Sequence, residues 1–333
     1  MKARNLALGL VGAAGAVVAV KMLTRAGTVE WERVAGAVEH SENSRFVHVD
    51  GANVHYQEFG HLGNPTLLLI HGYTASTYAW RTVAPMFADE GFHVIAVDLL
   101  GFGYSEKPRW FDYSIESQAR MISRFMDTLG IGLATVAGSS YGGAVAATLA
   151  LDYAERVEKL VLVNAVCNDN LRSMPILRLA SIPLIGEAIT PFLADTKALH
   201  RRRMRKTLSP ANHDLISEER VAAIVRPLAA ADAHHALLAT SRNWHANRVT
   251  YDAHLIKQPT LIVWGEDDKV TPVNDGHRLH DEILHSRLVV LKDCGHVPME
   301  EKSQLFTELV TEFARDRKGR IADTHGDEAV LEN

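Results

Sequence analysis

Cysteine is nearly absent: the 333-residue chain holds two, Cys167 and Cys294. No CxxC pair or Cys/His ligand spacing accompanies them, which excludes structural zinc, an iron–sulfur cluster and a disulfide scaffold. Both are read as buried free thiols. An excess of positive charge is missing too. Lys and Arg number 35 against 40 Asp and Glu, a formal net charge of −5, so no chain-wide field is available to hold nucleic acid. Charged residues are 23% and hydrophobic residues 47% of the chain, which excludes a disordered polymer and leaves a fold stabilised by apolar burial. At roughly 150 residues per domain, the length suggests one large or two modest domains. No internal repeat is visible.

A long, uninterrupted apolar run is also lacking. Leu6 to Val20 is apolar, preceded by Lys2 and Arg4 and closed by Lys21 and Arg25. Its length falls between a signal-peptide core and the ~20 residues of a spanning helix, although Lys21 can snorkel and let Met22 and Leu23 extend the span. Thr24-Arg25-Ala26 is a poor cleavage site. Gly9, Gly12 and Gly15 are costly in a soluble helix and common in membrane ones. Residues 1–26 are therefore read as an uncleaved membrane anchor, with export after signal cleavage as the alternative. The core is expected to begin at the first strand, so a chain starting near Gly27 should fold without them.

What is present is a rhythm of short apolar runs. Arg45–Val49 and Ala52–Glu58 flank Asp50-Gly51 as a hairpin. Thr66–Ile70, Phe92–Val97, Ala134–Ala137, Lys159–Val163, Thr260–Trp264 and Arg287–Leu291 lack polar alternation, so both faces of each strand are buried. This is the pattern of a parallel α/β sheet. Between Cys167 and about Tyr251 the strand rhythm stops, and helical patterns broken at Pro175, Pro183, Pro191, Pro210 and Pro227 replace it. The predicted layout is a core of residues 27–166 and 251–315, a helical cap at 167–250, and a polar tail at 316–333 that frays.

The densest signal is Gly138-Ser139-Ser140-Tyr141-Gly142, set between an apolar strand and a small-residue helix. A G-x-S-x-G in that context is a nucleophile elbow, whose serine is held exposed in a strained turn. The spacing selects Ser140, since only Ser140 has glycine two residues away on both sides. A serine hydroxyl needs a base to remove its proton and a carboxylate to orient that base. His296 follows the last core strand in Asp293-Cys294-Gly295-His296, whereas His234, His235 and His245 are read as cap-packing or surface residues. Glu266, Asp267 and Asp268 all follow Thr260–Gly265, and the residues alone leave the orienting acid open. Donors for the oxyanion are expected from the Tyr73 and Tyr141 amides, at the end of strand Thr66–Ile70 and at a helix N-terminus. The Tyr73 side chain either lines the pocket or packs over it.

Together these motifs resemble the α/β-hydrolase superfamily over about residues 45–315. The resemblance rests on His71-Gly72, Asp98-Leu-Leu-Gly101-Phe-Gly103-Tyr-Ser105, Gly138 to Gly142, Gly265 to Pro272, and Gly295-His296, in the family's order. It selects Asp268 as the acid, third after the glycine and four before the proline. Leu100 and Ala154 stand where the family often has proline. Dehalogenases and epoxide hydrolases carry aspartate at the elbow and are excluded. The chain looks like membrane-anchored monoacylglycerol lipases and carboxylesterases.

The resemblance implies an α/β-hydrolase fold: a mostly parallel, twisted sheet flanked by helices, with the cap inserted after the sixth strand. It implies a cofactor-free, metal-free serine hydrolase. The substrate is then a medium- or long-chain, monoacylglycerol-like ester, cleaved through an acyl-enzyme by Ser140, His296 and Asp268. The alternatives are a carbon–carbon bond hydrolase or perhydrolase on the same triad, and a non-catalytic hydrolase-like binding protein. In the cap, the apolar stretch from Leu177 to Leu193 is either an acyl-binding lid or ordinary packing. The basic run His200 to Lys206 either rests on anionic headgroups or is a solvated face.

Overall fold

The computed structural model describes residues 27–169, 182–316 and 328–331. The proposed anchor and the Pro175 break lie outside the described residues. Strands β1 (Ser44–Val49) and β2 (Ala52–Phe59) form the expected antiparallel hairpin, with Val49 opposite Ala52. Its turn residues Asp50 and Gly51 have φ of 46° and 90°, the left-handed pair that a two-residue turn of matching twist requires. The other strands are β3 (Thr66–Ile70), β4 (His93–Val97), β5 (Ala134–Ser139), β6 (Val157–Val163), β7 (Thr260–Gly265), β8 (Ser286–Leu291) and β9 (Glu328–Leu331). They form one sheet in the order β1-β2-β4-β3-β5-β6-β7-β8-β9. β2 pairs antiparallel with β4, and all pairings from β4 onward are parallel.

Because side chains alternate across a strand, the uniformly apolar runs feed two cores at once. Leu68, Ile70, Val136, Leu160 and Leu162 meet Phe125, Met126, Ala144 and Ala147 on one face. Leu67, Leu69, Ala137, Val161 and Val163 meet Trp80, Phe87, Phe306 and Val310 on the other. The covering helices are α1 (Val83–Asp89), α2 (Ile115–Thr128) and α3 (Tyr141–Asp152) before the insertion. After it, Leu279 comes from α9 (Val273–Glu282) and Phe306 from α10 (Ser303–Arg315).

Between β6 and β7 lie α4 (Ile185–Asp195), α5 (Lys197–Thr207), α6 (Glu218–Val225), α7 (Ala231–Arg242) and α8 (Asn247–Asp252). Pro191, expected to break a helix, sits inside α4; the helix gives up one backbone bond there and continues. Pro210 and Pro227 open short helical turns, where a missing N–H costs nothing. A buried ion triad fastens cap to core: Glu300 pairs with Arg81 at 2.5 Å and with Arg220 of α6 at 3.1 Å.

Two termini differ from expectation. The folded body begins before β1. Trp31 packs edge-on against Phe46 and Tyr104 and tilted against His55, with ring centroids 5.1–5.3 Å apart, Gln57 donates to the Glu39 carbonyl, and the cap reaches across through Arg226 to the Ala37 carbonyl and the Asp232 amide to the Gly27 carbonyl. Residues 27–43 are thus a strap joining hairpin and cap. They carry little apolar periodicity, which is why the sequence places the core's start at the first strand. At the other end, β9 docks parallel to β8 with Glu328 opposite Leu288, where a fraying tail is expected. A four-residue edge strand held by backbone bonds has no hydrophobic alternation to announce it.

Candidate active site

Ser140 caps α3 with φ 55° and ψ −118°, a region costing about 1–3 kcal/mol unless neighbours enforce it. Here they do. Ser140 donates its amide to the Val163 carbonyl, while its own carbonyl accepts from Gly143 and Val166, each at 2.9 Å. The flanking glycines are steric necessities: a Cβ on Gly138 would lie 2.2 Å from the Gly142 carbonyl oxygen, and one on Gly142 would lie 2.3 Å from that of His71. Ser139 ends β5 and is 2% exposed.

His296 Nδ1 lies 2.7 Å from Asp268 Oδ2. The same oxygen accepts from Thr271 Oγ1 at 2.7 Å and from Asn164 Nδ2, while Oδ1 accepts the Val270 and Thr271 amides at 2.7 and 3.1 Å. Burial pushes the Asp268 carboxyl up, but the His296 imidazole and these donors outweigh it and hold it below the usual carboxylate value. Asp267 turns the other way and accepts from Ser209 Oγ of the cap at 2.6 Å, and Glu266 is exposed. The structure pairs His296 with Asp268.

The His296 loop is pinned by Glu301, a carboxylate that no sequence motif marks. Glu301 accepts the Gly295 amide at 3.0 Å and the Val297 amide at 3.2 Å, and on its cap side the Ser209 amide and Asn212 Nδ2 at 2.8 and 3.0 Å. The His296 amide itself donates to Thr207, the last residue of α5, at 2.7 Å. No motif marks Asn164 either. It follows the apolar run Leu160–Val163 that ends β6 and has φ 44°, and a lone polar residue at a strand's carboxyl end is the signal that could have marked it.

The His71-Gly72-Tyr73 turn adjoins Ser140, since a Cβ on Gly72 would lie 3.1 Å from Ser140 Cβ and 3.6 Å from its Oγ. His71 is kept neutral: burial pushes its pKa down, and Asp98 opposes this only in part. Its Nε2 accepts the Leu99 amide, so Nδ1 carries the proton and donates to the Gly72 carbonyl at 2.8 Å. Tyr73 packs against Phe102 and Trp244. Its hydroxyl bonds the Leu237 carbonyl and Ser241 Oγ of α7 at 3.0 and 2.8 Å. The ring thus braces the cap over the site. Tyr141 opens α3 with its ring fully buried and its hydroxyl donating to the Tyr113 carbonyl.

Asp98 is a scaffold acid, accepting from His55 Nδ1 and the Thr77 and Tyr104 amides. Buried His234 bonds the Leu228 carbonyl within the cap. Cys167 and Cys294 are buried free thiols, and burial raises Cys167 to about 11.

Residues 65–303 match the family described as alpha/beta hydrolase fold. An uncharacterised hydrolase of Bacillus subtilis, YugF, is 30% identical over 80% of this chain and 96% of its own length. A 2-hydroxy-6-oxononadienedioate/2-hydroxy-6-oxononatrienedioate hydrolase of Burkholderia vietnamiensis is 30% identical, covering 84% of this chain and 98% of its own. Among solved structures, a bacterial membrane phospholipase A superposes with a TM-score of 0.69 at 26% identity, covering 95% of this chain and 100% of that one.

Proposed function

The chain belongs to the α/β-hydrolase family, and from that premise we propose that it is a serine hydrolase cleaving carboxylic esters through an acyl-enzyme. The observations that carry the reading are the His296–Asp268 contact of 2.7 Å and a serine held at φ 55° whose amide bonds the Val163 carbonyl, one residue before Asn164, a donor to Asp268. Ser140 Oγ attacks the ester carbonyl as His296 Nε2 takes its proton. Asp268 keeps the other imidazole proton on Nδ1 and stabilises the imidazolium. The tetrahedral oxyanion is met by the Tyr73 and Tyr141 amides, the latter at the positive end of α3. Collapse expels the alcohol, which takes the proton from His296. A water then attacks the acyl-enzyme by the same route and frees the acid.

The substrate in this reading is a medium- or long-chain ester of monoacylglycerol type, met at a membrane to which residues 1–26 attach the protein. Similarity to a membrane phospholipase A along nearly the whole chain supports it. Each methylene buried in an acyl slot contributes up to ~0.8 kcal/mol, so kcat/KM for p-nitrophenyl esters is expected to climb from acetate by up to about fourfold per methylene until the slot is full. A peak at acetate or propionate would make the protein a small-ester hydrolase.

Truncation tests the attachment. A chain starting at Gly27 keeps the strap and is expected to leave the membrane fraction in a high-salt wash while hydrolysing short esters. One starting at Ser44 loses the Trp31 ring contacts and the Gly27 and Ala37 contacts, and is expected to melt several degrees lower. Equal membrane retention of full-length and Gly27 chains sinks the anchor. The second reading, a carbon–carbon bond hydrolase on the same residues, is favoured by the similarity to the Burkholderia vietnamiensis enzyme; turnover of 2-hydroxy-6-oxo dienoates with no ester hydrolysis would select it.

A further inference from the structure

The cap meets the catalytic loops along one short stretch, Thr207 to Asn212, where α5 ends and the helical turn Pro210–Leu215 begins. Among the described residues, five hydrogen bonds run from this stretch to the loops that carry Asp268 and His296. The Thr207 carbonyl accepts the His296 amide at 2.7 Å. The Ser209 amide donates to Glu301 at 2.8 Å and its Oγ to Asp267 at 2.6 Å. Asn212 Nδ2 donates to the Asp293 carbonyl at 2.8 Å and to Glu301 at 3.0 Å. The packing between the two is tight, since a Cβ on Gly295 would lie 2.3 Å from the Thr207 carbonyl oxygen and 2.6 Å from the Ser209 nitrogen.

Glu301 is the centre of this joint. Gly295, His296 and Val297 present three successive amides: Glu301 takes the first on Oε2 and the third on Oε1, and the cap carbonyl of Thr207 takes the middle one. Oε2 also receives both cap donors, the Ser209 amide and Asn212 Nδ2. The backbone on either side of the imidazole is therefore held by a carboxylate whose remaining partners belong to the cap. The acid loop is tied to the same place, because the Asp267 amide donates to the Cys294 carbonyl at 2.9 Å while its carboxylate accepts from Ser209. Ser209 is 1% and Glu301 9% exposed, so donors that leave this carboxylate have no water to receive them in place.

We propose that Glu301 is a positioning residue that couples the cap to the general base: with Thr207–Asn212 docked it sets His296 on Asp268, and with that stretch displaced the base loses its place. The proposal rests on the serine-hydrolase reading for the role of His296. A substrate that lifts the cap on entry is then attacked only once the cap has settled over it, as in other closures that complete a catalytic site. An amide cannot do the work of this carboxylate. With the oxygen of Glu301→Gln kept on the three donors of Oε2, its NH₂ confronts the Val297 amide, another donor; turned round, the NH₂ confronts the other three. Either way the backbone beside His296 has to move.

In the full-length protein, Glu301→Gln is expected to lower kcat about 10- to 100-fold with KM little changed, the size of effect when a reacting group is misplaced by about 1 Å. The rate of Ser140 labelling by a fluorophosphonate probe should fall by the same factor, and the downfield proton resonance of the His296 Nδ1–H shared with Asp268 should shift or broaden. Glu301→Asp, which keeps both oxygens, should recover part of the loss. Asn212→Ala should move the same readouts less far, and its effect should shrink in the Glu301→Gln background, because the two act through one contact. Met126→Ala in α2 lowers the melting temperature through lost burial and should leave the labelling rate and the resonance as in wild type. A Glu301→Gln protein that melts lower yet keeps wild-type labelling and resonance overturns the proposal, as does an Asn212→Ala loss undiminished in the double variant. Where Glu301→Gln does not fold, Asn212→Ala decides, and unchanged labelling and resonance in it overturn the coupling. Neither readout needs ester turnover, so their loss in a protein that cleaves no ester keeps the coupling and removes the ester reading instead.

Discussion

Replacing Ser140 by alanine is expected to lower kcat for ester hydrolysis by about 10⁶-fold, the size of the loss when a triad nucleophile is removed. Labelling by a fluorophosphonate probe should vanish with it. The fold should survive, because the clamps on this residue are backbone bonds to Val163, Gly143 and Val166, which alanine retains. Alanine at φ 55° is no more strained than serine there. Ser139→Ala is the control: it sits at the end of β5, one residue from the turn, and should keep both labelling and turnover. If Ser140→Ala were labelled and active while Ser139→Ala was not, the elbow would be one residue out of register.

The elbow was legible in the sequence for a steric reason. Two glycines flanking a serine at fixed spacing are what the 2.2 and 2.3 Å approaches to Gly142 and His71 oxygens demand, so the chain records the constraint directly. The strands were legible because burial on both faces of the sheet removes polar alternation. Residues that act through backbone groups leave no such record. Glu301 holds four donors from two segments, yet in sequence it is one of two adjacent glutamates on a short helical turn. The strap is similar, since its bonds run from side chains elsewhere to its carbonyls.

Asp268→Asn is expected to lower kcat by about 10⁴-fold, as when a triad acid becomes an amide and the imidazole takes the wrong tautomer. The local network says why. Asp268 accepts from five donors, and an amide has one oxygen to offer them. With that oxygen kept on the Val270 and Thr271 amides, the new NH₂ faces Asn164, Thr271 Oγ1 and His296 Nδ1. The Thr271 hydroxyl can rotate, and Asn164 can turn its otherwise unpartnered Oδ1 toward the donor. His296 can adapt only by accepting at Nδ1, which puts its proton on Nε2 and blocks removal of the serine proton. The protein should therefore fold and fail to turn over.

The pH behaviour follows from the same contacts. Because Asp268 is held below the usual carboxylate value, its ionised form contributes stability above the unfolded-state pKa of about 3.9, and that contribution is lost only as pH falls through the lower folded value. Across pH 5 to 8 Asp268 therefore stays ionised, and its own titration should leave no inflection in the wild-type kcat profile there. Asp267→Asn disturbs the contact to Ser209 Oγ and should cost less than about tenfold by comparison with a true triad acid. Were the two losses reversed, Asp267 would have to leave the cap and replace Asp268 at His296, and the five-donor site would be an ordinary loop turn.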